Sequence, residues 1–136
     1  MAQQTAMGME PLEGIERLAE LVNSDRALVR RGRYVTNEIM IEIGSVSYYV
    51  RINKGQIASL QRGPLLMHSW SFAIRGKEEA WRTFWQALPP PFFHDIFALA
   101  KRGEFRIEGD YKPLMTSLLY YKDVIAAPRR LAKEAR

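Results

Sequence analysis

Glu38-Ile-Met-Ile-Glu-Ile-Gly-Ser-Val-Ser-Tyr-Tyr-Val-Arg-Ile52 alternates apolar and polar side chains on both sides of a Gly44-Ser45 turn. Ile39, Ile41 and Ile43 share one side while Glu38, Met40 and Glu42 take the other, and Val46, Tyr48, Val50 and Ile52 repeat the rhythm. A period of two places successive residues on opposite faces of a strand, so the run predicts a hairpin with one apolar and one wet face. Working outward, Asn53-Lys-Gly55 supplies a second tight turn, and a third strand runs from Gln56 to about Arg62, where Gly63-Pro64 ends it. Trp70, Phe72 and Ile74 alternate with Ser69, Ser71 and Ala73 in a fourth strand, and Phe105 and Ile107 alternate with charged residues in a fifth. Strands that are apolar on one side only make a mostly antiparallel sheet with one solvated face; a doubly covered parallel sheet would be apolar on both.

Four stretches of helical period are available to cover the apolar face. Leu12, Ile15, Leu18, Ala19 and Val22 predict a helix over 10–22. Ala80, Trp81, Phe84, Trp85 and Leu88 predict a second, stopped by Pro89-Pro-Pro91, whose rings remove donors and restrict their predecessors. Phe92, Phe93, Ile96, Phe97 and Ala100 predict a third that Gly103 ends. Asp110 is an N-cap for a last helix over 111–125, with Pro113 in its first turn and Leu114, Met115, Leu118, Leu119 and Ile125 as its buried stripe. The class is therefore α+β: a five-stranded, mostly antiparallel sheet with helices packed on one face.

With 136 residues, 47% of them hydrophobic and 26% charged, the chain has the composition of one folded domain. Residues 1–9 read as a disordered N-terminal tail without the basic and apolar regions of a signal peptide, 10–126 as the domain, and 127–136 as a basic C-terminal tail. The chain has no cysteine, which excludes disulfides and thiolate metal sites and fits a cytoplasmic protein. The formal net charge is +5, concentrated in Arg26, Arg30, Arg31 and Arg33 and in Arg129, Arg130, Lys133 and Arg136. Such clusters attract phosphates, so a transient contact with an anionic membrane stands beside the plainer reading of solvated surface. Nucleic acid is not an expected partner, because the aromatics lie on apolar faces rather than among the basic residues.

Chemistry-bearing motifs are scarce. No glycine pattern cradles a phosphate, and His68 and His94, the only histidines, have no spaced carboxylates that would complete a metal site. His94 and Asp95 are adjacent on an expected helix and point about 100° apart, so they do not form a base and its orienter. Ser69 and Ser71 sit on a strand without a strand-to-helix elbow. No enzyme and no cofactor is expected. What stands out is aromatic density: Trp81, Phe84, Trp85, Phe92, Phe93 and Phe97 lie on two helices that face the same way, with Trp70 and Phe72 opposite them on the sheet. Aromatic stripes at helical spacing form cores, and large stiff rings also hold helices away from a sheet and leave an apolar gap; composition alone leaves both readings open.

Tyr49-Val-Arg-Ile-Asn-Lys-Gly55, Trp70-Ser-Phe-Ala-Ile-Arg-Gly-Lys-Glu-Glu-Ala-Trp81, Leu99-Ala-Lys-Arg-Gly103 and Glu104-Phe-Arg-Ile-Glu-Gly-Asp110, followed by Leu114, occur in an order that resembles the sterol carrier protein 2 (SCP2)-like family. The resemblance spans about residues 10 to 126. It implies an apolar tunnel between sheet and helices for a lipid or fatty-acyl-like ligand, and a carrier rather than an enzyme. An accessory subunit that presents a hydrophobic intermediate to a partner enzyme is the alternative. The residues expected to line the tunnel are Trp70, Phe72, Trp81, Phe84, Trp85, Phe93, Phe97, Leu118 and Leu119. The Pro89–Pro91 and Phe92-Phe93 segment departs from the family pattern where the tunnel would open. The C-terminal Glu134-Ala-Arg136 is not a peroxisomal Ser-Lys-Leu address, which fits a bacterial stand-alone member.

Overall fold

The alternating run folds as expected. In the computed structural model, which describes residues 10–134, β1 (Thr36–Ile43) and β2 (Val46–Asn53) pair antiparallel, with Ile39 opposite Val50 and Ile41 opposite Tyr48. β3 (Gln56–Arg62) pairs antiparallel with β2, β4 (Phe72–Gly76) pairs parallel with β1, and β5 (Phe105–Gly109) pairs antiparallel with β4. The sheet order is β3-β2-β1-β4-β5, so one neighbouring pair in four is parallel. Ile39, Ile41, Val50, Ile52, Phe72 and Ile74 are fully buried on the face that meets the helices.

The helices are shorter and more numerous than their stripes suggest. The stretch 10–22 is divided at Arg17 (φ −101°, ψ 7°) into α1 (Pro11–Glu16) and α2 (Leu18–Asn23). A further helix, α3 (Arg26–Arg31), begins where Asp25 accepts a hydrogen bond from the Leu28 N–H at 3.2 Å, the side-chain cap that a helix start requires. α4 (Glu78–Phe84) stops at Trp85, well before the prolines, so Leu88 is exposed instead of joining the buried face. α5 (Ile96–Lys101) starts after Asp95; Phe92 precedes it, exposed and in a left-handed conformation (φ 74°).

The last helix is also interrupted. α6 (Tyr111–Thr116) carries the expected cap, Asp110 accepting from the Lys112 N–H at 3.0 Å. Ser117 (φ −124°, ψ 46°) then breaks the helix before α7 (Leu118–Ala126). Part of the expected C-terminal tail is ordered as α8 (Arg129–Glu134), because Leu131 and Ala132 find an apolar surface to bury against. The expectations for residues 1–9 and for Ala135 and Arg136 lie outside the described residues.

α3, the β2–β3 turn and α7 meet at two glycines. A Cβ at Gly55 would lie 2.5 Å from the Val29 carbonyl oxygen, and one at Gly32 would enter the Tyr120 ring. Tyr120 donates its hydroxyl to the Gly55 carbonyl at 2.7 Å across this contact.

The wet face is not bare. Residues 63–71 return from the end of β3 to the start of β4 across it. His68 bonds Glu38 and sets its ring against Tyr49 (4.6 Å between centroids), and Gly63 donates its N–H to the Ser47 carbonyl. Further along the same face, Arg75 bridges three strands, donating to Glu42 at 2.9 Å and to Glu108 at 2.8 Å. Glu108 is thereby held below the ordinary carboxylate range, chiefly by its hydrogen bond with Arg75.

Candidate functional site

The inward row of β1 begins with a polar residue. Asn37 stands two places before Ile39, on the side that meets the helices, where a polar side chain needs partners. It has them: Asn37 Nδ2 donates to the Tyr121 hydroxyl at 3.1 Å, and the Ser71 hydroxyl donates to Asn37 Oδ1. Tyr121, on α7, is 1% exposed, and its ring meets Phe72 edge-on with centroids 5.0 Å apart. Burial pushes the Tyr121 phenol above its ordinary range, opposed by the Asn37 hydrogen bond, so the group is a neutral donor and acceptor at physiological pH. Burial likewise pushes Tyr120, its neighbour, far up.

Asn37 and Tyr121 line a cleft of about 310 Å³ where β1 faces α6 and α7. Tyr34, Thr36 and Asn37 line one wall; Lys112, Ser117 and Tyr121 line the other, and the helix break at Ser117 sits in that wall. Tyr111, Met115 and Leu119, spaced four apart along α6 and α7, are exposed, and Tyr34 on the opposite rim is 86% exposed. The cleft thus has hydrogen-bonding groups in its lining and the exposed Tyr34 ring at its rim, while Tyr111, Met115 and Leu119 lie outside the lining.

The expected lining residues separate into distinct places. Trp81, Phe84 and Trp85 pack on one another and on Phe105, with Trp81 4.4 Å from the Phe105 ring and 4.8 Å from Trp85. Both indoles are tethered, Trp81 donating to the Glu42 carbonyl at 2.9 Å and Trp85 to the Ile125 carbonyl at 2.7 Å. Phe72 lies apart from them, against Tyr121. Phe93 and Phe97 are half-buried, each with a cation near its ring, Arg102 at 6.0 Å and Lys122 at 5.6 Å respectively. Leu118 is half-buried.

Two residues stand elsewhere than expected. Trp70 does not face the helices: β4 begins only at Phe72, and the preceding loop leaves Trp70 half-buried on the wet face, 5.8 Å from the Arg75 guanidinium. Leu119 is 70% exposed, because the break at Ser117 resets the helix phase and turns Tyr120 and Tyr121 inward in its place. Sequence reasoning passed over Asn37 and Tyr121. Both were within reach of it: Tyr121 is seven residues after Leu114 and four before Ile125, and Asn37 continues the Ile39–Ile43 row.

The basic clusters are partly engaged inside the molecule. Arg129 lies over the Phe84 ring at 4.4 Å and donates to the carbonyls of Phe84, Phe93 and His94, capping the end of α4 and the loop after it; burial lowers its pKa. Arg130 donates to the Leu21 carbonyl, and Arg31 pairs with Asp123 at 2.6 Å. Asp95 forms an ion pair with Lys122 at 3.1 Å, while His94 is exposed, so the two are not joined as an acid–base pair. Among the described residues no group of three His, Asp or Glu is placed to hold a metal ion, and no helix is long and apolar enough to cross a membrane.

Comparison with solved structures places the architecture. Sterol carrier protein 2 superposes with a TM-score of 0.67 at 11% identity over 86% of this chain and 94% of its own. A conserved hypothetical protein of Thermus thermophilus superposes at 0.63 and 11% identity, over 94% and 90%. A UbiJ-SCP2 ubiquinone synthesis protein superposes at 0.54 and 17% identity, over 93% and 96%. No family model matches the sequence, and no curated protein matches it. The chain has the SCP2-like fold.

Proposed function

We propose that this protein binds and carries an apolar or amphiphilic ligand between its sheet and the α6–α7 pair, without catalysis. One observation carries the reading: the helix pair that closes the apolar interior is broken at Ser117, borders a cleft through Lys112, Thr116, Ser117 and Tyr121, and exposes Tyr111, Met115 and Leu119 elsewhere on its surface. Exposed apolar residues on an element that borders a cleft fit a surface that receives a ligand or partner. In the conformation described, Trp81, Phe84, Trp85 and Phe105 fill their end of the interior with one another, so they act as a packed wall. Ligand enters by displacement of α6–α7, with Phe72, Phe97 and Leu118 nearest the path. α6 buries only Leu114, and a short helix held by one buried residue is the kind of element that opens first, whereas α7 is anchored by Tyr120, Tyr121, Val124 and Ile125. Solved structures of like fold that bear the name sterol carrier protein support the reading.

The accessory alternative has its own support. Leu66 and Met67 form an exposed apolar knuckle on the wet face, with Met67 in a left-handed conformation (φ 53°). A like-folded neighbour is described as a ubiquinone synthesis protein. In that reading the protein works in the cytoplasm beside an enzyme and presents a hydrophobic intermediate to it. A transient contact with anionic membrane by Arg26, Arg30 and Arg33 on α3 and the turn after it is compatible with either.

Native mass spectrometry of the freshly purified protein tests carriage. A co-purified lipid of defined mass, released on denaturation, is the expected result; a bare chain that also fails to take up any of a panel of acyl and isoprenoid compounds would sink it. Capture of an enzyme through Leu66 and Met67, lost in Leu66→Ser/Met67→Ser, would favour the accessory role.

A further inference from the structure

We infer that Asn23 takes the place of a further strand on the free edge of β3, and so keeps β3 from pairing with the β3 of a second copy of this chain.

The order β3-β2-β1-β4-β5 leaves β3 and β5 with one neighbour each. An edge strand turns the N–H and C=O of every other residue outward, where they template the addition of another strand. β3 is a strong template by composition. Gln56-Ile-Ala-Ser-Leu-Gln61 has no charge, no proline and no glycine, the kind of segment that pairs with its own copies.

Asn23, the last residue of α2, reaches this edge at Ile57. The Ile57 N–H donates to Asn23 Oδ1 at 2.8 Å, and Asn23 Nδ2 donates to the Ile57 carbonyl at 3.1 Å. A backbone N–H only donates and a carbonyl only accepts, so this pair fixes which way the amide points. One side chain thus makes both bonds that a neighbouring strand would make at Ile57.

The rest of the edge is less protected. Ile52 pairs with Ile57 and Arg51 with Ser59, so Ala58 is an extra residue, a bulge that bends the strand. The Gly63 N–H bonds inward to the Ser47 carbonyl at 2.7 Å, so by alternation the backbone groups of Leu60 and Arg62 face outward. Among the described residues no hydrogen bond from outside the sheet reaches them. Asn23, the bulge and the charge of Arg62 are what stand against strand addition here.

The opposite edge carries a related device. The Asp110 N–H bonds inward to Ser71 at 2.8 Å, so Ile107 on β5 turns its backbone outward. The Tyr111 hydroxyl donates to that Ile107 carbonyl at 2.7 Å. A side chain therefore occupies each of the two edges. Two unlike edges left open would let copies add without closure, which makes blocking both of them worthwhile.

The test compares the full chain with Asn23→Ala by sedimentation velocity over a concentration series, with circular dichroism as the check on folding. Asn23→Ala should keep the parent's spectrum and show an about twofold rise in mass over the parent at the highest concentrations. Adding Ala58→Lys, at an exposed position, should return the mass to the parent's, because pairing of two copies would bring like charges together. If Asn23→Ala does not fold, Asn23→Asp, which keeps the acceptor for the Ile57 N–H, is read by the same criteria. A folded variant whose mass follows the parent's at every concentration, or whose association is indifferent to Ala58→Lys, would overturn the inference.

Discussion

Trp85 on the end of α4 donates its indole N–H to the backbone carbonyl of Ile125 at 2.7 Å, joining two elements forty residues apart across the apolar interior. Both partners are fully buried, so no water replaces the bond if it is lost. Trp85→Phe keeps most of the ring and leaves the Ile125 carbonyl unpaired. The variant should be less stable by about 1–3 kcal/mol in urea denaturation, the cost of an unsatisfied buried acceptor. Stability within experimental error of the parent would mean that the tie contributes nothing.

Leu119 tests the proposed way in independently of stability. Because its side chain is largely in solvent, Leu119→Ser should change unfolding free energy by less than about 0.5 kcal/mol. Ligand uptake, followed by the fluorescence of the buried tryptophans, should nonetheless slow. Unchanged association rates would move the route away from α6–α7.

Leu118 should behave differently from its neighbour. It is half-buried at the start of α7, and Leu118→Arg places a charge there one helical turn before the cation Lys122. We expect a folded but weaker protein, measured by circular dichroism, that releases ligand faster than the parent. A variant that retains ligand as long as the parent would show that α7 is not the wall.

Acid should weaken the wet face through Arg75. Glu108 has its pKa lowered, mainly by the Arg75 hydrogen bond. A carboxyl depressed on folding contributes stability above its unfolded pKa, about 4.3, and loses it as pH falls through the lower folded value. The melting temperature of the parent should therefore drop as pH falls below about 4, and the drop should be shallower in Arg75→Met. Parallel pH profiles for the two proteins would exclude this origin.

The membrane reading rests on Arg26, Arg30 and Arg33, since Arg31 is paired with Asp123. Binding to anionic vesicles should weaken as salt rises through about 0.15 M and should fall further in Arg30→Glu/Arg33→Glu. Vesicle binding that is absent, or indifferent to salt and to lipid charge, would return these residues to solvated surface.

Legibility in the sequence followed the range of the interaction. The hairpin 38–52 was readable because a strand's faces are set by neighbours two residues away, and Asp110 was readable as a cap because its partner lies two residues on. The helix lengths were less so. Leu88 fits the stripe of α4 but stands beyond the residue where Trp85 turns to bond Ile125, a partner that no local pattern contains. Arg129 looked like part of a solvated tail because the carbonyls it caps lie 35 to 45 positions earlier in the chain.

By itself the sequence determined a five-stranded sheet with one apolar face, helices to cover that face, and the fold that results, because alternation and helical spacing are enforced by backbone geometry residue by residue. Tertiary structure decided how the residues of the candidate site are brought together. It carried Trp70 to the far side of the sheet, where a loop need not keep the pleat of the strand it leads into. It also turned Leu119 out at the Ser117 break and brought Tyr121 to Asn37 from 84 positions away. Which side chain meets which across the interior depends on where each helix is interrupted and how it crosses the sheet, and those are set by packing between elements rather than by the spacing within one.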